Sequence, residues 1–149
     1  MSWRTEKRML LQPEILENWQ RGKCESHFYR LTSKVEVAFE YRGPQFGHPS
    51  NYAAITILAM PSTEFNLDWG VTGPPSSLDP TYSRRLLIAI GRSAIDELFA
   101  ATWDSYRGCS LVVQKIGWDD VMSSEVAFYR AARGALSELR RVGSWELVT

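Results

Sequence analysis

Residues 117–128 read GWDDVMSSEVAF, and where this run divides decides the fold. Before it, CSLVVQKIGW (109–118) is apolar and β-branched, the composition of a strand. After it, Ser123 to Val142 carry Phe128, Ala132, Ala135, Leu136 and Leu139 on one side at helical spacing, and the small alanines permit close approach to a sheet. A strand therefore stops and a helix starts within about four residues, a usual length for a βα connection. Serine hydroxyls accept hydrogen bonds from the free N–H groups of a first helical turn, and a carboxylate complements its positive end, so Ser123, Ser124 and Glu125 read as helix caps. A nucleophilic serine would need a base in reach, commonly a histidine, and the chain has only His27 and His48.

Upstream, KVEVAFEY (34–41) alternates so that Val35, Val37, Phe39 and Tyr41 share a side, the period of a half-buried strand. YAAITILAM (52–60) predicts a second strand, and the two glycines and two prolines of RGPQFGHPSN between them mark a loop. A short third strand is expected near Leu67 to Val71, and residues 72–78 read as a loop. Asp79 and Pro80 are the N-cap and first position of a helix whose stripe is Leu87, Ile90, Ala94, Ile95, Leu98 and Phe99, ending near Trp103. Gln12 to Gln20, with Pro13 in first position, reads as a short helix in a lead-in segment, 1–33, ahead of a core, 34–142, of one domain. Strands first, then helix, strand and helix, argue for an α+β fold: a sheet of about four strands, mixed or antiparallel, with two long helices on one face.

The 149 residues, 44% hydrophobic, suffice for one core. The N-terminus, MSWRTEKRML, has no uninterrupted apolar region behind its positive charges, so neither a signal peptide nor a membrane span is expected. Two distant cysteines, Cys24 and Cys109, form no disulfide framework, and the expected compartment is the cytoplasm. Seventeen basic against seventeen acidic side chains leave no net charge, unlike a protein whose affinity rests on neutralising many phosphates. Basic residues still cluster at Arg84 and Arg85 and along the last helix, which the simplest account makes a solvated face.

WDDVMSSEVAFYRAARGAL resembles the segment Y-H-D-V-D-S-S-E-x-A-F-x-x-A-A of domain IV in elongation factor G and the ribosomal-protection proteins. The order of features agrees: FGHPSNYAAITILAM stands where that family has a G-G-R-G-Q-Y loop and a strand, and PTYSRRLLIAIGRSAIDELFA where it has an amphipathic helix. The resemblance spans roughly residues 34–140 and implies the fold of the second domain of ribosomal protein S5, a four-stranded sheet with two helices on one side and a left-handed crossover. In the translocase this domain is an arm whose tip loops reach the decoding region. The matching loops are Gln45 to Asn51 and Gly117 to Met122. Departures fall on those loops: the family's tip histidine is Asp119, its aspartate before the serines is Met122, and its basic glycine-rich loop is Phe46-Gly47-His48-Pro49. An anion where RNA should approach opposes phosphate, so the fold is expected to outlast the ribosomal chemistry.

No phosphate-cradling G-x-x-x-x-G-K-[ST] run is present to drive such an arm. Cys24 and His27 have the spacing of half a zinc site without a second pair, so neither a metal nor another cofactor is expected. Asp119 and Asp120 have the form of a Mg²⁺ or acid–base pair, although turn formation is the simpler account. Trp69 and Trp118 are candidates for exposure. The expected function is non-enzymatic binding of a protein partner through Phe46, Gly47, His48, Trp118, Asp119 and Asp120. The alternatives are a ribosome or RNA binder using Arg130, Arg133 and Arg141, and a small enzyme with Asp119, Asp120, His48 or Ser123 converging in a pocket.

Overall fold

A computed structural model describes residues 27–43, 51–62, 64–71, 80–99 and 105–148. The expected helix at Gln12 to Gln20, Cys24, the loop holding Phe46, Gly47 and His48, the 72–78 loop, Asp79 and the helix end near Trp103 lie outside the described residues.

The strands are β1 (His27–Leu31), β2 (Val35–Arg42), β3 (Tyr52–Met60), β4 (Asn66–Trp69), β5 (Ser105–Gly108), β6 (Ser110–Gly117) and β7 (Trp145–Val148). The helices are α1 (Pro80–Ala94) and α2 (Glu125–Val142). The fold is α+β, with a four-stranded mixed sheet in the order β2-β3-β6-β4. β3 pairs antiparallel with both β2 and β6, and β4 pairs parallel with β6. Parallel neighbours need a long crossover, and α1 lies in the one between β4 and β6.

Strict alternation in β3 buries Ala53, Ile55, Ile57 and Ala59, which with Leu67, Trp69, Leu111 and Val113 make the sheet's half of the core. α2 presents Ala127, Ala131, Ala132 and Ala135, all fully buried, so its backbone packs closely over β2 and β3. Gly134 removes the last obstacle: a Cβ there would stand 2.6 Å from the ring of Phe39. α1 packs beside α2 and contributes Leu86, Leu87 and Ile90. Trp69, a candidate for exposure, is instead 1% exposed, closing the core at the end of β4.

Two features go beyond the sequence pattern. A second sheet, β5-β1-β7, forms from short strands, so part of the segment read as a lead-in pairs with residues beyond the expected core. The chain passes from this sheet into the larger one at the buried Cys109, whose carbonyl accepts from the Asn66 N–H. The second feature is a π-helical turn, Ile95–Phe99, continuing α1. Glu97, Leu98 and Phe99 are consecutive and all buried, which regular 3.6-residue periodicity would not give on one face. The wider turn places the Glu97 carboxylate against Arg133 (2.7 Å) and Arg140 (3.2 Å) of α2.

Candidate functional site

The connection from β6 to α2 and the start of β3 form one hydrogen-bonded unit. Asp119 Oδ1 accepts from the N–H groups of Val121 and Met122, each at 2.9 Å, which closes a tight turn. The Met122 carbonyl accepts from Asn51 (3.1 Å) and Tyr52 (3.0 Å), so backbone supplies the link at the position where the family motif has aspartate. The 44–50 segment is thus bracketed by the Asn51 contact on one side and by Gly43, whose N–H donates to the Asn51 carbonyl at 2.7 Å, on the other. The structure brings Asn51 beside Met122, so the base of the first tip loop meets the second.

The two serines have different jobs. Ser124 is the N-cap of α2, its side chain accepting from the Ala127 N–H at 3.2 Å. Ser123 is not a cap: buried at 7% exposure, its hydroxyl donates to the Tyr52 carbonyl and accepts from the Asp119 N–H, both at 2.9 Å. It clamps the turn to the start of β3, a contact across 71 residues that no local motif announces. Glu125 lies in the first turn of α2 as expected, 3.9 Å from Arg85 of α1.

Trp118 is half-buried and turned towards the helices. Its ring stacks on Phe128 of α2 (5.8 Å between centroids, 21° between planes) and meets Tyr82 of α1 edge-on at 5.1 Å. Its Nε1 donates to Asp120 Oδ1 at 2.9 Å. Burial raises the Tyr82 phenol above its ordinary value, with Glu125 adding to the effect and Arg85 opposing it. Among the described residues of this turn, Asp120 and Val121 face solvent, the latter 64% exposed. Asp119 and Asp120 therefore sit in one turn with different roles: one ties the backbone, the other holds the indole.

The arginines read as an RNA contact are engaged within the protein. Arg130 donates to the Tyr41 hydroxyl at 2.9 Å and lies over its ring. Arg133 bonds Glu97 and the Tyr129 hydroxyl, bonds that raise its pKa. Arg141 pairs with Glu138 one turn back on the exposed face. Among the described residues no group of three or more His, Cys, Asp or Glu side chains is placed to hold a metal. No helix of the described residues is long and apolar enough to cross a membrane.

No protein-family model matches the chain, and no curated protein matches it. Among solved structures, a protein from Thermus thermophilus of known crystal structure is similar over 76% of this chain, with a TM-score of 0.59 at 22% identity. This chain covers 16% of that protein's length, so the likeness is between this fold and one part of a much larger molecule.

Proposed function

We propose that this chain is a non-enzymatic binding domain of the elongation factor G domain IV type, which engages a protein partner through the apex of its tip. The observation that carries this reading is the clamped turn: Ser123, Asp119 and Trp118 all face inward to hold it, and Asp120 and Val121 are what it presents. A rigid turn loses little conformational freedom when it binds. The same bonds weigh against catalysis, because the Ser123 hydroxyl and the Asp119 carboxylate already have backbone partners. The likeness to the Thermus protein supports the fold, and the motif at 118–136 supports the domain type.

An acidic, apolar apex suits a protein surface better than phosphate. The bonds of Arg130 to the Tyr41 hydroxyl and of Arg133 to Glu97 weaken the RNA reading. The test is a pull-down from native lysate at low and raised salt, comparing wild type with Val121→Asp. One protein recovered at both salts and lost with the variant supports the reading. Ribosomal subunits that fade with salt and ignore the variant would replace it.

A further inference from the structure

The larger sheet ends on β2, an edge of eight residues, whereas the other sheet edges among the described residues, β4, β5 and β7, have four each. The Gly43 N–H donates to the Asn51 carbonyl, and the antiparallel register with β3 continues from Arg42 back to Val35 without a bulge, so the backbone groups of the odd-numbered residues face β3. Those of Glu36, Ala38, Glu40 and Arg42 therefore face away from it, and among the described residues no strand pairs with them. A long, regular edge without proline is a template for a further strand. Phe39, in the middle of this edge, is 41% exposed.

The side chains of the edge select the strand that fits it. Glu36, Glu40 and Arg42 are exposed and share the sheet face away from α2. A second copy of β2 laid antiparallel to the first brings both sets of free backbone groups together only when residues of equal parity stand opposite, which puts the two-fold axis on a residue. With the axis on Phe39, Glu36 faces the partner's Arg42 and Arg42 faces the partner's Glu36, while the two Phe39 rings meet in a non-hydrogen-bonded pair, where side chains come closest. Moving the axis to Ala38 sets Glu36 against the partner's Glu40 and Lys34 against the partner's Arg42, and moving it to Glu40 sets that carboxylate against its own copy. One of these registers joins opposite charges, so charges that deter other strands specify this pairing. Arg42 is bonded to Glu40 of its own strand, an exposed pair of small worth that leaves the guanidinium open to a second carboxylate. Glu36 has no ion-pair partner among the described residues.

We infer that two copies of this chain pair β2 to β2 about an axis on Phe39, joining their larger sheets into one with both α2 helices on the same face. A second feature falls on the same axis. Gly134 lies against the Phe39 ring, and Arg130 and Glu138 stand one turn before and one turn after it on the same row of α2. Strands about 4.8 Å apart leave two helices, each seated over β2 and β3, about 10 Å from one another, which is packing distance. Running antiparallel past Gly134, they direct Arg130 towards the partner's Glu138 in both directions. The contact does not use Asp120 or Val121 of the tip.

The test is sedimentation velocity of the full chain over a wide range of concentration, with hydrogen exchange measured at both ends of that range. Wild type is expected to dimerise, and dimerisation should slow exchange at the Glu36, Ala38, Glu40 and Arg42 amides. Glu36→Arg and Arg42→Glu, both at exposed positions, should each weaken the dimer about tenfold or more, because symmetry turns either change into two like-charge contacts. A chain carrying both changes restores opposite charges at both contacts and should regain wild-type affinity to within about threefold. Circular dichroism of all three variants should match wild type. A wild type that stays monomeric at every concentration, a dimer indifferent to the single reversals, or one that the double reversal fails to restore would each overturn the inference. So would a monomer whose edge amides already exchange slowly, which would give the edge to another segment of the same chain.

Discussion

Ser123→Ala tests whether the second tip loop is held by one hydroxyl. The substitution removes a single atom, so the lost packing is small, and the effect rests on two hydrogen bonds of 2.9 Å, one donated to the Tyr52 carbonyl and one accepted from the Asp119 N–H. Each neutral bond contributes about 1 kcal/mol net, and a buried partner left unsatisfied costs about 1–3 kcal/mol. Both bonds are only part-buried, so water reaches the orphaned groups and the expected loss is about 2 kcal/mol rather than the upper limit of both penalties. For a chain of this size that lowers Tm by roughly 4–8 °C. The assay is urea unfolding followed by circular dichroism, with Ser124→Ala as the comparison. Loss of the N-cap bond costs about 1 kcal/mol and leaves the turn attached to β3. The distinguishing readout is hydrogen exchange: Ser123→Ala should deprotect the Asn51, Tyr52 and Met122 amides, whereas Ser124→Ala should deprotect the first turn of α2. A Ser123→Ala protein within about 0.5 kcal/mol of wild type, the range of an ordinary surface substitution, with those three amides unchanged, would refute the clamp.

Other consequences can be measured on the same protein. Gly43→Ala drives a methyl group into the Asn51 carboxamide, an overpacking of about 1–3 kcal/mol that thermal unfolding would detect; an unchanged Tm would mean the base of the first loop yields freely. Glu97→Ala leaves Arg133 and Arg140 without their shared carboxylate. Because those arginine side chains are 43% and 31% exposed, the loss is expected near about 2 kcal/mol and not the full penalty of a buried pair, with little change on adding salt. Burial pushes the Cys109 thiol up to about 12, so at pH 8 about one molecule in ten thousand carries the thiolate there, and in a Cys24→Ser protein iodoacetamide should label the native state far more slowly than the urea-unfolded chain. The raised pKa also fixes a sign: the thiol's contribution to stability is whole below its ordinary 9.0 and is lost as pH climbs towards about 12. A urea midpoint that does not fall across that window, or falls as steeply in Cys109→Ala, contradicts this.

The elements that could be read in advance are those whose side chains have one dry face and one wet face. β2, β3, β6 and α2 match their predicted spans to within a few residues; the alternation of 52–60 and the alanine stripe of α2 report burial directly, whereas in 34–41 only Val37 is buried, Val35 and Tyr41 are half-buried and Phe39 is 41% exposed. The weak third strand is present as β4, one or two residues earlier than expected. β1, β5 and β7 have four or five residues each, too few for a period to show, and they are held by pairing with one another across the chain. The π turn was equally hidden, because Glu97 reads as a surface residue until Arg133 and Arg140 are placed opposite it. At the tip, residue types announced a turn and a cap but not which serine did what: the Ser123 bond to Tyr52 depends on two segments meeting in space. Trp118 had an accessible-looking place in the sequence, and only the positions of Tyr82 and Phe128 show why it turns inward.

The equal count of acids and bases is met largely by local pairing, and that bears on what the fold can bind. On α2, Arg133 and Arg140 share Glu97, Arg141 takes Glu138 and Arg130 lies on Tyr41, so the helix richest in arginine has most of its charge engaged. On α1, Arg85 has one long contact to Glu125, and Asp96 follows Arg92 by one turn on the π-helical continuation. A search for basic patches by sequence clustering would choose α2, the helix whose cations are already paired. Coulomb attraction towards an incoming anion depends on charge left uncompensated within about a Debye length, roughly 8 Å at physiological salt. By that measure Arg85 and Arg92 are not free cations either: Glu125 lies 3.9 Å from Arg85, and Asp96 stands one turn beyond Arg92.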